Sequence, residues 1–305
     1  MTVIIPAFNC AQWIGQAIDS VLNQSIPATE IVVIDDGSTD TTAAVLAGYG
    51  RQIICLRQSN QGVAAARNAG LNLAGGEAIA FLDGDDVWHP RKLELQLRVM
   101  ADDSTIGLLG TGRFIWPATA VPHVPGEQAA AVTRIDRNAL AVKNYLATSS
   151  VMVRRELIRQ VGGFDTTLHG PEDHDYWLRI AGVATVAILP VPLMGYRSVQ
   201  GSLSKRAGTM EAGMQRILRK LDGQDYWRGN RLLRHRAYSY VNYSSAYLHG
   251  AAGKRWIAIS RLLASLAWYP LPYRRAESGA SFGRIRRLAV SLLRLVGVVK
   301  TEPAL

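Results

Sequence analysis

Short apolar runs alternate with helical patterns along the first hundred residues, the rhythm of strand–helix units laid on a parallel sheet. Val3–Ile5 predicts a buried strand ended by Pro6, and Glu30–Ile34, Ile53–Leu56 and Ala78–Leu82 predict three more. Between the first two, Ala11–Leu22 predicts a helix with Trp13, Ala17, Ile18, Val21 and Leu22 on one face. Ser38 or Thr39 stands where it can cap the helix after the second strand. An alanine-rich helix follows Asn60-Gln61-Gly62 and runs to Gly75-Gly76, which reads as its C-cap. The pattern then loosens. Strands are expected over Ile106–Ile115, Val151–Val153, Ala184–Leu189 and Leu193–Arg197, with a proline-bearing loop over Pro117–Gln128. Helices are expected over Arg154–Val161 and over Glu172–Ala181, the latter started by Pro171. From about Gly208 only helices are read, among them Gly253–Trp268 and Gly283–Lys300.

Open parallel sheets bind ligands at the carboxyl ends of their strands. Three of the four early strands end in Pro6-Ala7-Phe8-Asn9, Asp35-Asp36-Gly37-Ser38 and Asp83-Gly84-Asp85-Asp86. One such end is an ordinary loop; three on one sheet edge point to a site. In an extended backbone residues two apart point the same way, so Asp83 and Asp85 would face one point. Like charges that close need compensation, and a hard divalent cation, Mg²⁺ or Mn²⁺, supplies it while also meeting substrate phosphates. No G-x-G-x-x-G follows the first strand and no G-x-x-x-x-G-K-[ST] occurs, which argues against dinucleotide binding and a P-loop.

The composition suits one large α/β domain with an extension: 305 residues, 48% hydrophobic and 19% charged, enough to bury a core. The net charge of +10 is uneven, since residues 1–204 carry −4 and residues 205–305 carry +14. Cys10 and Cys55, without a Cys-x-x-Cys pair, fit a reducing compartment and no zinc or disulfide framework. With no leader before the first strand and no apolar run of spanning length, the sequence reads as cytoplasmic.

Taken in order, Val3–Asn9, Val32–Asp40, Asn60-Gln61-Gly62 with Ala66–Gly70, Phe81–Asp86, and Val161–Asp165 with Glu172-Asp173 resemble the successive blocks of the family-2 inverting glycosyltransferases. The resemblance covers about residues 1–205, and five blocks in sequence are specific. It implies a GT-A-type, Rossmann-like, mixed and mostly parallel sheet flanked by helices over 1–205, with a helical, basic extension over 206–305. It implies transfer of a sugar from a nucleoside-diphosphate sugar, UDP-sugar favoured, to a hydroxyl of a lipid-linked or cell-envelope glycan. Pro6, Ala7 and Asn9 would line the nucleoside pocket, with Asp36 (Asp35 beside it) on the base. Asn60, Gly62 and Arg67 would close around base and ribose, although alone Arg67 reads as a solvated helix arginine. Asp83 would lie near ribose and sugar, Asp85 would hold Mn²⁺ or Mg²⁺ together with Asp83, and Asp173 would be the general base. Glu172, Asp173 and Asp175 also suit a helix N-terminus electrostatically. Arg197 and Ser202 would meet the diphosphate. Where the family often has a histidine after Tyr-Arg, this chain has Val199, which puts a third metal ligand in doubt. Two alternatives stay open: a sugar nucleotidyltransferase, which Phe8-Asn9-Cys10 does not resemble, and a non-catalytic nucleotide-sugar binder, against which Asp85 and Asp173 argue.

In the tail, Ile285, Leu288, Ala289, Leu292, Leu295, Val296 and Val299 share one helical face, opposite Arg287, Ser291 and Arg294. Core packing and an anionic membrane surface are both open for this helix; the +14 charge favours the membrane. Nucleic acid is the weaker partner, because no recognition motif is present.

Overall fold

The computed structural model describes residues 1–118, 122, 131–199, 201–273 and 283–295. The chain divides into two compact units. The first comprises the described parts of Met1–Arg137, Asn144–Leu168 and Glu172–Val199. The second comprises Asn138–Lys143, His169–Pro171 and the described part of Gln200–Leu305.

In the first unit the strands are β1 (Thr2–Ala7), β2 (Glu30–Asp35), β3 (Ile54–Arg57), β4 (Ala78–Phe81), β5 (Val87–Trp88), β6 (Ile106–Trp116), β7 (Thr133–Ile135), β8 (Met152–Arg154) and β9 (Thr185–Arg197). They form one mixed sheet in the order β3-β2-β1-β4-β8-β6-β9-β5, with β7 on β9. β1, β2, β3 and β4 are parallel, as the strand–helix rhythm predicts, and antiparallel β8 joins them to the parallel pair β6–β9. Helices α1 (Ile14–Leu22), α2 (Thr42–Ala47), α3 (Val63–Leu73), α4 (Lys92–Asp102), α6 (Arg155–Val161) and α7 (Glu172–Ile180) belong to this unit, and α5 (Arg137–Val142) falls almost wholly in the second. Alternate residues of β1 and β2 serve opposite layers. Val3, Ile5 and Val33 join the main core with Ile14, Ala17 and Ile18, while Val32 and Ile34 meet Ala66 of α3.

Several local expectations change. β1 continues through Pro6, which pairs with Ile34. Ile4 O accepts from Leu82 N, so alternate residues of β1 face β4; by Pro6 that neighbour has ended, and no ladder donor is needed. The buried face of α1 is Ile14, Ala17, Ile18 and Val21, and Leu22 is exposed. Neither Ser38 nor Thr39 caps α2; Asp40 Oδ1 accepts from Thr42 N instead (2.9 Å). α3 ends at an extended Ala74, so Gly75-Gly76 is no left-handed cap. A Cβ at Gly76 would lie 2.6 Å from the Met1 backbone, so close approach explains that glycine. The two late strands are one, β9, whose register against β6 slips around Pro190 to Pro192 and accommodates both prolines. Of the loop expected over Pro117–Gln128, residues 119–121 and 123–128 lie outside the described residues.

The second unit is helical, with α8 (Ala207–Gly223), α9 (Arg231–Ala251), α10 (Arg255–Trp268) and α11 (Gly283–Leu295). Buried Arg284 starts α11 by donating to Ser239 Oγ and to the carbonyls of Ser265, Tyr269 and Leu271, and Leu288 packs on the Tyr243–Tyr273 cluster. The first turns of this helix therefore pack on protein. Ile285 stays exposed, while Val296, Val299 and the side chains of Leu292 and Leu295 lie outside the described residues. Among the described residues no helix is long and apolar enough to cross a membrane.

Candidate active site

The carboxyl ends of β1, β2, β4 and β9 lie at one edge of the sheet, and the predicted polar residues converge there. At the end of β1, Asn9 adopts a left-handed φ of 48°, which asparagine tolerates. Its Oδ1 accepts from Thr39 N (2.8 Å) and Asp40 N (3.3 Å), and its own N–H donates to Ser38 Oγ (3.0 Å). Asn9 thus fastens the β1 end to the β2 loop. Pro6 and Ala7 are buried, so any wall they give a ligand is backbone; Phe8 and Asn9 are the exposed side chains here.

The Asp35-Asp36 pair organises its own loops. Asp35 Oδ1 accepts from Ser38 N (2.9 Å), and Arg57 lies 3.4 Å from its other oxygen. Asp36 is buried and accepts three hydrogen bonds, from Gln58 Nε2 (2.7 Å), Gln61 N (3.0 Å) and Gly62 N (2.8 Å). A Cβ on Gly37, at φ 77°, would lie 2.8 Å from Asn60 N, so only glycine lets the two loops meet. Asn60 and Gly62 are thereby held against Asp36, with Asn60 exposed.

Arg67 is the centre of the site and is buried, not the solvated helix residue its surroundings in sequence suggest. Three residues on, Gly70 sits where a Cβ would lie 2.4 Å from Ile4 Cγ2, so α3 packs closely on β1. From that helix Arg67 donates to Asp83 Oδ1 and to Glu172 Oε1, both at 2.7 Å, and lies over the Phe164 ring. Its Nε has no partner among the described residues. Burial works against its charge, but Asp83 and Glu172 outweigh that and raise its pKa. Beneath it Asn68 donates to Phe164 O (2.9 Å) and accepts from Phe164 N (2.7 Å), which locks the Gly162-Gly163-Phe164 segment to α3.

Asp83-Gly84-Asp85-Asp86 is a turn closed by Asp86 N donating to Asp83 O (3.1 Å), not the extended segment that would aim Asp83 and Asp85 alike. The charges still interact. Burial and then Asp83 push Asp85 up to about 6, and the same causes push buried Asp86 up to about 7. Arg197 donates from Nε to Asp85 O (2.8 Å), from its backbone to Asp86 Oδ1 (3.0 Å) and from its guanidinium to Gln16 (2.7 Å). Ser202 belongs to the second unit, where its hydroxyl meets Ser204.

At the first turn of α7, partly buried Asp173 accepts from Asn144 Nδ2 and Thr148 Oγ1, each at 3.2 Å. Burial raises its pKa against the pull of Arg67, and burial likewise raises that of neighbouring Glu172. The turn Thr148–Ser150, which sequence reading passed over, connects the two acidic groups. Thr148 reaches Asp173, while Ser149 Oγ donates to Asp86 (2.6 Å) and accepts from Asp83 N (3.1 Å). Trp88 Nε1 and Gln96 Nε2 hold its carbonyls, and Gln96 in turn accepts from fully buried Lys92. Ser and Thr before a strand give no sequence signal for this role; buried Lys92 and Gln96, four apart on α4, are its nearest trace.

Residues 2–162 match the family model described as glycosyl transferase family 2. The chain belongs to that family. An uncharacterized glycosyltransferase of Nostoc is 35% identical over 176 residues, which cover 54% of each chain, so this chain spans about half the length of that relative. Two solved structures share the fold. TarS residues 1–349 of S. aureus, in complex with UDP, is 17% identical with a TM-score of 0.61, covering 97% of this chain and 91% of that one. A mannosyltransferase of Pyrobaculum calidifontis, in complex with GDP-Man and Mn²⁺, is 19% identical with a TM-score of 0.61, covering 97% and 80%. The expected fold class, a mixed α/β sheet flanked by helices with a helical C-terminal region, holds.

Whether this family-2 site fits a divalent cation rests on Asp85. Its carboxylate accepts no hydrogen bond from another described side chain, is partly desolvated and stands against the Asp83 charge, a donor set that suits a hard cation. Among the described residues no three His, Cys, Asp or Glu side chains gather as a metal site. The protein would thus contribute Asp85 and the Asp83 oxygen not bonded to Arg67, and phosphate or water would complete the shell.

Proposed function

We propose that the chain is an inverting glycosyltransferase that moves a sugar from a nucleoside-diphosphate sugar, UDP-sugar favoured, to a hydroxyl of a lipid-linked or cell-envelope glycan. The observation that carries the reading is the Arg67 bridge. One buried cation ties Asp83, on the metal loop, to Glu172, whose neighbour Asp173 accepts from Thr148.

Asp36 keeps one acceptor position beyond its three loop bonds for an N–H of the base, and exposed Phe8 and Asn60 flank the same loops. Asp85 and Asp83 would hold Mn²⁺ or Mg²⁺, which when bound supplies Lewis-acid stabilisation of charge on the departing diphosphate. Asp173 takes the proton of the attacking hydroxyl; its raised pKa makes it a stronger base than an ordinary aspartate. Thr148 and Asn144 orient its carboxylate, and Arg67 opposes the effect of burial on Glu172 beside it. A single displacement inverts the anomeric carbon, as one attack from the face opposite the leaving group must. The basic C-terminal region would hold the enzyme to an anionic membrane surface where a lipid-linked acceptor lies.

The test is thermal unfolding with UDP, GDP and their sugars, each with and without Mn²⁺, on the wild type and Asp85→Ala. A nucleotide at a hundred times its Kd should stabilise the wild type by about 2.7 kcal/mol. The Mn²⁺-dependent part of that gain should vanish in the variant. No response to any nucleotide would overturn the donor reading, and an unchanged Mn²⁺ effect in the variant would move the metal elsewhere.

A further inference from the structure

The second unit carries a surface for which sugar transfer has no use. α9 ends at Ala251, the chain turns through Gly253 at φ 74°, and α10 begins at Arg255. Lys254, Arg255, Trp256 and Ile257 are all exposed there, Trp256 to 72%. The exposure continues down one face of α10 through Trp256, Ser260, Leu263 and Ala267, a spacing of four, three and four residues. No charge interrupts that stripe, while Ala258, Ile259, Leu262 and Ser265 fill the buried side. A surface helix ordinarily turns a charged or strongly polar face to water, and a stripe whose one polar member, Ser260, spends its hydroxyl on Ile257 O marks a contact surface.

Charge selects the partner. Residues 226–273 contain seven Lys or Arg and no Asp or Glu; Arg234 and Arg261 pair with Asp222 and Glu211, whereas neither Lys254 nor Arg255 has an acidic partner among the described residues. A second copy of the turn bearing exposed Lys254 and Arg255 would be repelled. Nucleic acid would meet the cations and stack a base on Trp256, yet aliphatic Ile257 and Leu263 beside it offer further bases nothing to stack on. Anionic lipid satisfies both features, since phosphates meet the cations and the apolar stripe enters the layer beneath them. Tryptophan favours that boundary.

We infer that the α9–α10 turn and the exposed stripe of α10 dock on an anionic membrane, with Lys254 and Arg255 on lipid phosphates and Trp256, Ile257 and Leu263 in the headgroup–acyl boundary. This rests on the membrane part of the reading above and moves the contact from the tail helix, whose first turns pack on protein, to α10.

Full-length protein is sedimented with vesicles of phosphatidylglycerol and phosphatidylcholine in equal parts, and with phosphatidylcholine alone. Wild type should bind the anionic vesicles only. Trp256→Ala with Leu263→Ala should weaken binding by about tenfold or more. Lys254→Gln with Arg255→Gln should weaken it by about fivefold for each cation removed. All four side chains are exposed, so thermal midpoints should hold. Trp256→Phe should still bind but lose fluorescence quenching by brominated lipid. If wild type binds and the variants bind equally well, this inference fails while membrane attachment stands. If wild type ignores anionic vesicles, both fail. Binding of RNA, or a dimer dissociated by the Trp256/Leu263 changes, in place of vesicle binding would also overturn it.

Discussion

Replacing Arg67 with methionine keeps most of the side-chain volume and removes a charge shared by two acids, Asp83 and Glu172. The Arg67–Glu172 pair is the costly part, with both side chains only 4% exposed. Breaking one partner out of such a pair costs about 3–5 kcal/mol. The Asp83 arm, with that carboxylate 33% exposed, adds only about 0–1 kcal/mol after solvent screening. The loss should depend on pH. Burial already raises the Glu172 pKa above 4.5 while Arg67 pulls it down, so removing the cation raises it further. An acid with a raised folded pKa binds more protons folded than unfolded, and stability falls as pH rises from its unfolded pKa through its folded one. The variant's deficit should therefore be small near pH 4.5 and grow as pH rises through the raised folded pKa. Urea unfolding followed by circular dichroism would show it as a midpoint lowered by roughly 2 M at about pH 8, for m near 2 kcal/mol/M. Adding Glu172→Gln should restore most of the loss at that pH, because the buried charge that Arg67 compensated is then gone. A deficit equal at both pH values, or one under about 1 kcal/mol, would refute the buried-bridge reasoning.

Two further outcomes follow from the site. Asp173→Asn should leave donor affinity within about twofold and slow transfer by about 10²–10⁴-fold; turnover near wild type, measured by release of nucleoside diphosphate, would show that the base lies elsewhere. Ser149→Ala removes the donor to Asp86 and the acceptor of Asp83 N, so it should cost about 1–3 kcal/mol and push Asp86 above its present value of about 7. Carboxylate titration by NMR checks the shift, and an unmoved Asp86 would dismiss Ser149 as its partner.

Much of the site was legible because its residues sit at the ends of locally determined elements. The strand–helix alternation over residues 1–82 placed Asn9, Asp35, Asp36 and Asp83 at one sheet edge without any long-range information. The unbroken apolar runs of β1 and β2, buried on both faces, and the face of α1 likewise follow from near neighbours, and so does the start of α7 at Glu172. Other features depended on partners far along the chain. Pro6 stays in a strand only because β4 stops beside it, and β9 survives two prolines only because β6 lets its register slip. Arg67 and Glu172 are 105 residues apart, and Ser149 and Asp86 are 63 apart. Hydrophobic period decides which face of an element is buried, and it does so within a turn or two. Which buried polar atom meets which is decided by how closely elements pack: Gly70 against Ile4, Gly37 against Asn60, the Thr148–Ser150 turn between two acidic groups. Hence the residue types and their sheet edge belonged to the sequence, whereas the burial of Arg67 between two acids, the turn at Asp83 and the raised proton affinity of Asp173 came only with the assembled fold.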